Sequence, residues 1–442
     1  MKKKMKKGSK SMADEQPMVL EENSTPSDVI ISNQKSVVVD EEFKDIDINT
    51  IIAKQNKEFS SVVGKLEGYV IKQGDTPILH TGIPVLDIAI GGGIPSKRMS
   101  YFWGSSGTGK TTLAFEIAYH NFLRLAYTKQ ADKWRFIFLD AEEGESTRWL
   151  SRIGINLPYK RDVPDNIEDL EHYLTDLKKA FAWQELMVIW DSVSATSPKA
   201  VTGRADIARA VSTLLNHIKL SELDISFLVI NQHREKQDQY APATPPGGNF
   251  LRHKSHLTLH APSIAKSDFW KDKKNGRSIM WRTQKTRDSF NDVDFRMEMT
   301  YFSGYDSILT LIAIMNKELK ILKRRVDEFT LEVDKDELSF KTGDKDAKQE
   351  FTVPYADIAD FDCPTMKIEG FKDLYNFFLD PASLPYWKFA CRYFAYQTFR
   401  PYFVFNDAQF TPFFEGIVQN LEDYYFGNWN LFVKTIPTKI NL

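Results

Sequence analysis

The sequence predicts an α/β fold built on a mostly parallel central sheet, with a phosphate-binding loop at the end of one strand. Three observations predict it. Short apolar runs alternate with helix-length stretches between about residues 78 and 315, the pattern of a parallel sheet covered on both faces. The stretch Gly104-Ser105-Ser106-Gly107-Thr108-Gly109-Lys110-Thr111-Thr112 follows one such run and opens a helical pattern, the context that gives this motif its meaning. The length of 442 residues leaves room for about two to three domains and a large core.

Each element follows from local pattern. Residues 1–10 hold six lysines, and 13–50 hold ten acids against Lys35 and Lys44. Such a leader, 1–47, buries too little apolar surface to offset chain entropy and is expected to be disordered. From Thr50, a candidate N-cap, Ile51, Ile52, Phe59, Val62, Val63 and Leu66 fall on one helical face, predicting a short helix in the segment 48–75. In the core, 76–325, the runs Met99–Trp103, Phe136–Asp140, Met187–Asp191, Phe227–Asn231, His256–His260 and Ser278–Thr283 read as strands. Residues 110–127, 168–182 and 204–221 read as the helices between them. Beyond 325 the pattern changes. Phe329–Val333 and Glu337–Phe340 flank an acidic turn, Phe351–Pro354 follows a polar one, and 371–432 gather 22 of the chain's 57 aromatic residues. The segment 326–442 is therefore read as an aromatic-rich, mixed or helical C-terminal domain, whose rings either build a core or stack on a partner.

Composition excludes several classes. Lys+Arg 58 against Asp+Glu 60 gives a net charge of -2, so any nucleic-acid contact must be a local patch. Cys363 and Cys391 are the only cysteines, too few for a disulfide scaffold and without zinc-site spacing. No run of 18 apolar residues occurs and the lysine-rich start lacks an apolar signal core, so a reducing cytoplasm, with no membrane partner, is the expected location.

The glycines of the 104–112 motif let backbone N–H groups converge on phosphate oxygens, and the following helix adds its N-terminal dipole. Lys110 is then placed for the β- and γ-phosphates and Thr111 for Mg²⁺, so a nucleoside triphosphate and Mg²⁺ are the expected ligands. Asp191, ending an apolar strand, is the second candidate magnesium ligand. A further strand ends in Asp140-Ala141-Glu142-Glu143, where a carboxylate could take a proton from an attacking water.

In this order the motifs resemble the RecA family of ATP-dependent DNA strand-exchange proteins, in its bacterial and bacteriophage branch. The resemblance extends from Thr81-Gly82 through Leu86-Asp87 and Gly91-Gly92-Gly93, past Asp191-Ser192-Val193, to Asn231-Gln232 and Gly247-Gly248-Asn249. It covers roughly 48–315, and implies a RecA-like P-loop core. It further implies that Glu142 activates water, that Gln232 senses the γ-phosphate, and that Trp149 stacks on adenine, with Ser146 where an Asp often stands. Arg204 and Arg209 fall in the first DNA loop's position; Arg234, Lys236, Tyr240, Gly247, Gly248 and Asn249 fall in or after the second. Arg252, Lys285 and Arg287 match basic residues that reach the neighbouring subunit's ATP, and Phe59 is a candidate docking knob that would make 48–75 an oligomerisation segment. The family's Lys-x-Lys is here Thr283-Gln284-Lys285, and both DNA loops are shortened.

The resemblance implies a DNA-dependent ATPase that forms helical filaments on single-stranded DNA and pairs it with homologous duplex in recombination and repair. Single-strand-binding and mediator proteins are the expected further partners. If phage-encoded, it would act in the host cytoplasm. A hexameric helicase-like motor, or an accessory ATPase without strand exchange, stays open beside this reading. The intact set Lys110, Thr111, Glu142 and Asp191 argues against a merely structural nucleotide-gated DNA binder.

Overall fold

The structure is a computed structural model. It describes residues 77–144, 147–199, 204–232, 248–265, 267, 269, 275–317, 322–325, 328–331, 337–342, 349–354, 363–403 and 407–436. The leader, the expected helix in 48–75 with Phe59, and Ser146, Arg234, Lys236, Tyr240 and Gly247 lie outside the described residues.

The chain enters through β1 (Ile78–Leu79), α1 (Pro84–Ile90) and β2 (Ile94–Pro95), the two short strands pairing antiparallel. The central sheet then takes β3 (Met99–Gly104), β4 (Trp134–Asp140), β5 (Lys160–Asp162), β6 (Glu185–Asp191), β7 (Ile225–Gln232), β8 (Leu257–Ala265), β9 (Gly276–Thr286), β10 (Asp294–Thr300) and β11 (Gly304–Tyr305). Its nine strands are ordered β11-β10-β9-β8-β3-β7-β6-β4-β5. From β8 to β5 all neighbours are parallel, and β9, β10 and β11 extend one side antiparallel. The mostly parallel sheet expected from the sequence is thus present, each expected strand lengthened by one or more residues at an end. His256–His260 starts one residue later, at Leu257, and runs on to Ala265.

Side chains alternate across the sheet, as the pleat requires. Phe102, Phe138, Ile189 and Ile230 enter one hydrophobic cluster, while Tyr101, Trp103, Leu139 and Trp190 enter the other. The first face is covered by α2 (Lys110–Tyr127), and the second by α4 (Leu170–Ala180) and α5 (Arg204–His217). The remaining core helices are α3 (Thr147–Arg152), α6 (Gly248–Lys254) and α7 (Ser307–Lys317). The predicted helix 110–127 has its expected bounds. The stretch 204–221 ends earlier, at His217, because the chain turns there: the N–H groups of Leu223 and Ile225 bond the carbonyls of Lys219 and Leu220 at 3.0 Å to launch β7.

Beyond the core, β12 (Leu322–Arg325), β13 (Glu328–Leu331) and β16 (Met366–Glu369) form one antiparallel sheet, and β14 (Glu337–Thr342) pairs with β15 (Gln349–Pro354). The runs either side of the acidic turn therefore do not pair with each other; each finds its partner elsewhere. Four helices follow: α8 (Phe371–Phe377), α9 (Leu384–Phe399), α10 (Asp407–Leu421) and α11 (Trp429–Thr435), with a π-turn at Glu422–Phe426. Arg392 ties α9 to α10 and to the π-turn, donating to Glu422 at 2.7 Å and to Glu415 at 3.2 Å.

The aromatic excess is found in this helical layer. Tyr386, Trp387, Phe389, Phe399, Tyr425 and Phe432 are buried in the same hydrophobic cluster as α1 and α2. Rings meet edge to face, as Trp387 does with Phe432 at 5.4 Å, the geometry that their quadrupoles favour. Burying about 200 Å² of one Trp is worth about 5 kcal/mol at 25 cal/mol per Å² as an upper bound. That exceeds the roughly 1 kcal/mol of a single hydrogen bond, so ring burial holds the layer on and polar contacts set its register. Those contacts centre on Asp87: its carboxylate accepts from Tyr425 Oη, from the Thr81 N–H at 3.0 Å and from His80 Nδ1 at 3.1 Å. Tyr424 stacks on His80 at 3.5 Å and lies 3.9 Å beneath the Arg124 guanidinium of α2. Among the described residues these rings are buried or partly buried against one another; Tyr402, 43% exposed, is an exception, and it stacks on Phe290.

Candidate functional site

The phosphate loop leaves the C-terminal end of β3, the end at which open α/β sheets bind ligands. Two glycines fix its shape. Gly104 has φ 149, and a Cβ there would collide with the Ala261 carbonyl on β8. Gly109 has φ 73, and a Cβ there would lie 2.6 Å from Met299 Sδ. Tyr305 braces the loop from the far side: its hydroxyl donates to the Thr108 carbonyl at 2.8 Å while its N–H donates to Glu116 at 2.7 Å. Burial pushes the Glu116 carboxyl well above the ordinary range, which suits a residue that belongs to the packing of α2.

Within the loop, Lys110 Nζ donates to the carbonyls of Ser105 at 2.8 Å and Gly104 at 3.1 Å. Burial holds its pKa below the usual lysine value, against the pull of Asp191 and Glu142. Thr111 Oγ1 donates to Asp191 Oδ2. Burial, reinforced by the Glu142 and Asp140 charges, pushes the Asp191 carboxyl up to about 7. A buried carboxylate so poorly compensated, beside a hydroxyl, is an oxygen pair suited to a hard divalent cation that keeps phosphate among its ligands; these residues fit magnesium. Ser106, Gly107, Lys110 and Thr112 line a cleft of about 370 Å³ with Trp149, Glu142 and Gln232.

The acidic run after β4 sorts itself by partner. Asp140 is buried and gripped by Arg161, Nη2 at 2.7 Å and Nε at 3.0 Å. Glu143 is exposed at φ 50. Glu142 alone of the three lines the cleft; it accepts from Gln232 Nε2 at 2.8 Å and from Ser192 Oγ at 2.5 Å. Register explains the meeting: Gly104 pairs with Gln232, and Asp191 with both Ile230 and Asp140, so the ends of β3, β7, β6 and β4 converge.

The basic residues Arg252, Lys285 and Arg287 are grouped elsewhere. Lys285 Nζ donates to the carbonyls of Arg252 at 2.9 Å and His253 at 2.6 Å. Burial, then the Arg287 and Arg252 charges, lowers its pKa. Lys285 pairs with Thr258, level with Tyr101, so this group sits back along the strands from the phosphate loop. Of the DNA-loop candidates, Arg209 is exposed and pairs with Asp206 at 2.8 Å. Arg204 opens α5, and Gly248 and Asn249 open α6.

Three lining residues had no sequence signal of their own: Arg277, Met299 and Tyr301. They come from β9, β10 and the turn after it, and only the antiparallel extension of the sheet brings them to the loop.

A family model described as the RecA N-terminal domain matches residues 45–304, leaving the aromatic helical layer outside the match. Protein RecA of Deinococcus radiodurans is 26% identical over 307 residues, 64% of this chain and 81% of that protein. Protein RecA of a Nostoc species is 27% identical over 234 residues, 48% of this chain and 63% of that protein. Protein RecA of Nautilia profundicola is 29% identical over 228 residues, 47% and 62%. The chain thus spans less than two thirds of the last two relatives. Among the described residues no helix is long and apolar enough to cross a membrane.

Proposed function

The chain belongs to the RecA family, and from that premise we propose that it hydrolyses ATP as a helical filament on single-stranded DNA and pairs that strand with homologous duplex. The observation that carries the reading is the contact of Gln232 with Glu142 at 2.8 Å above the phosphate loop. It joins a water-activating carboxylate to the strand end that leads into 233–247.

Backbone N–H groups of the loop and the N-terminus of α2 bind the phosphates, and Lys110 leaves its loop carbonyls to meet them. Thr111 and Asp191 would hold magnesium, which when bound offsets charge on the phosphates. Glu142 orients a water in line with the γ-phosphorus and takes its proton. Gln232 then has two alternatives, the Glu142 carboxylate or a γ-phosphate oxygen. Exchange between them shifts the loop that follows, so DNA affinity tracks the nucleotide state. Arg204, Arg209, Arg234, Lys236 and Tyr240 are the proposed DNA contacts, with Gly247, Gly248 and Asn249 shaping the second loop. Trp149 is the proposed platform for adenine. The placement of Arg252, Lys285 and Arg287 away from their own loop supports a role toward a neighbouring subunit's nucleotide, where a cation arriving across an interface couples assembly to hydrolysis.

The test is electron microscopy of the full chain with single-stranded DNA and a non-hydrolysable ATP analogue, paired with a homologous-pairing assay. Helical filaments and pairing are expected. Closed rings that unwind DNA without pairing would replace this reading with the motor.

A further inference from the structure

Arg277 stands at the start of β9, an 11-residue strand, and lines the cleft. Its Nη1 donates to the Gly107 carbonyl of the phosphate loop at 2.9 Å. Its guanidinium lies 4.9 Å over the Tyr301 ring. Its Nε is buried and has no hydrogen-bond partner among the described residues. The side chain is therefore held at two points with donors left over, since a guanidinium carries five N–H groups.

Charge gives the reason to look for a ligand. Among the cleft-lining residues Lys110 and Arg277 are the cations, and Glu142 and Asp191 the acids. Without Arg277 a single ammonium, itself buried, would face two carboxylates, a poor lining for a polyanion. A planar fork of donors beside the loop suits phosphate oxygens, and a bidentate charged contact is stronger than a neutral one.

We propose that Arg277 is a second phosphate-binding cation of the nucleotide site, supplied by the same chain whose Gly104–Thr112 loop holds the nucleotide. The Gly107 carbonyl and the Tyr301 ring position the guanidinium, and its remaining N–H groups bind the polyphosphate. Strand β9 then serves two nucleotides under the reading above: Arg277 meets the chain's own, and Lys285, near the other end about 27 Å away at roughly 3.4 Å per residue, meets a neighbour's.

The proposal rests on the assignment of this cleft to a nucleotide, so the experiment separates the two. ATP and AMP are competed against a fluorescent ATP analogue on the full chain and on its Arg277→Gln, Arg277→Lys and Lys110→Ala variants. Glutamine keeps a donor for the Gly107 carbonyl and removes the charge. Arg277→Gln is expected to lose about tenfold or more in ATP affinity and less than about twofold in AMP affinity, and Arg277→Lys, which keeps the charge but not the planar fork, to recover only part of the loss. ATP affinity in Arg277→Gln within about twofold of the unsubstituted chain overturns the proposal. So does an equal loss for ATP and AMP, which would make Arg277 a support for the base through Tyr301. If Lys110→Ala binds ATP normally, the cleft assignment itself fails; if Lys110→Ala is defective and Arg277→Gln is not, only the role of Arg277 fails.

Discussion

The side-chain amide of Gln232 reaches both carboxylate oxygens of Glu142 at 2.8 Å, joining the end of β7 to the loop after β4. Removing the base while keeping the contact is the direct probe of that pair. Glu142→Gln is expected to slow ATP hydrolysis by about 10²- to 10⁴-fold, the usual contribution of a general base, while ATP binding persists and the DNA-bound form accumulates. Steady-state hydrolysis and DNA-binding lifetime check it, and normal turnover would remove Glu142 from its role.

Truncating the other partner probes coupling rather than chemistry. Gln232→Ala is expected to keep its KM for ATP within about threefold and to lose about tenfold of any stimulation by single-stranded DNA, a typical coupling free energy. Hydrolysis measured with and without DNA decides it. Full stimulation in the variant would show that the 233–247 loop is read by another route.

The aromatic layer makes a separate, structural prediction. The Tyr425 hydroxyl accepts from the Gly82 N–H at 3.1 Å and donates to Asp87. Tyr425→Phe leaves ring packing intact and strips one donor from a buried carboxylate, so it is expected to destabilise the chain by about 1–3 kcal/mol. Urea unfolding measures this, and an unchanged midpoint would mean that the hydroxyl contributes nothing to docking.

Asp306 gives a pH dependence. Its carboxyl caps α7 by accepting the Leu309 N–H at 2.9 Å and accepts from Tyr375 Oη at 3.0 Å. Burial nonetheless outweighs these bonds and pushes it from 3.8 up to about 6. A carboxyl raised on folding stabilises the native state below its unfolded pKa, and that contribution is lost as pH rises through the folded value. The loss is about 3 kcal/mol between pH 4 and 7 at 1.36 kcal/mol per unit. Asp306→Asn abolishes the titration, so its stability relative to the unsubstituted chain should improve by about that amount over the same window. A difference that stays constant with pH would show that Asp306 titrates as an ordinary carboxyl.

The phosphate loop, its strand and its helix were legible in the sequence because their signals are local: glycine spacing, an uninterrupted apolar run, and 18 residues of helical pattern ending at Tyr127. Asp191 was legible for the same reason, ending an apolar strand, whereas Gln232 is by local chemistry a plain polar strand end and only the resemblance pointed to it. Which member of Asp140-Ala141-Glu142-Glu143 faces the cleft was not decided by local chemistry, since composition treats the three acids alike. The resemblance pointed to Glu142, and the structure separates the acids by partner: Arg161 claims Asp140, while Gln232 and Ser192 meet Glu142.

What the sequence by itself determined was the α/β class, six of the nine strands of the central sheet and the residues of the phosphate loop, all of which depend on neighbours within a few positions. Tertiary structure alone decided what lies far apart in the chain and close in space. The antiparallel extension β9–β11 carried Arg277 to Gly107 across 170 positions, and the helical layer set Tyr425 on Asp87 across 338. Sequence periodicity records which face of an element is apolar. It does not record which other face will cover it, because burial is non-directional and the partner is chosen by the packing of the whole chain.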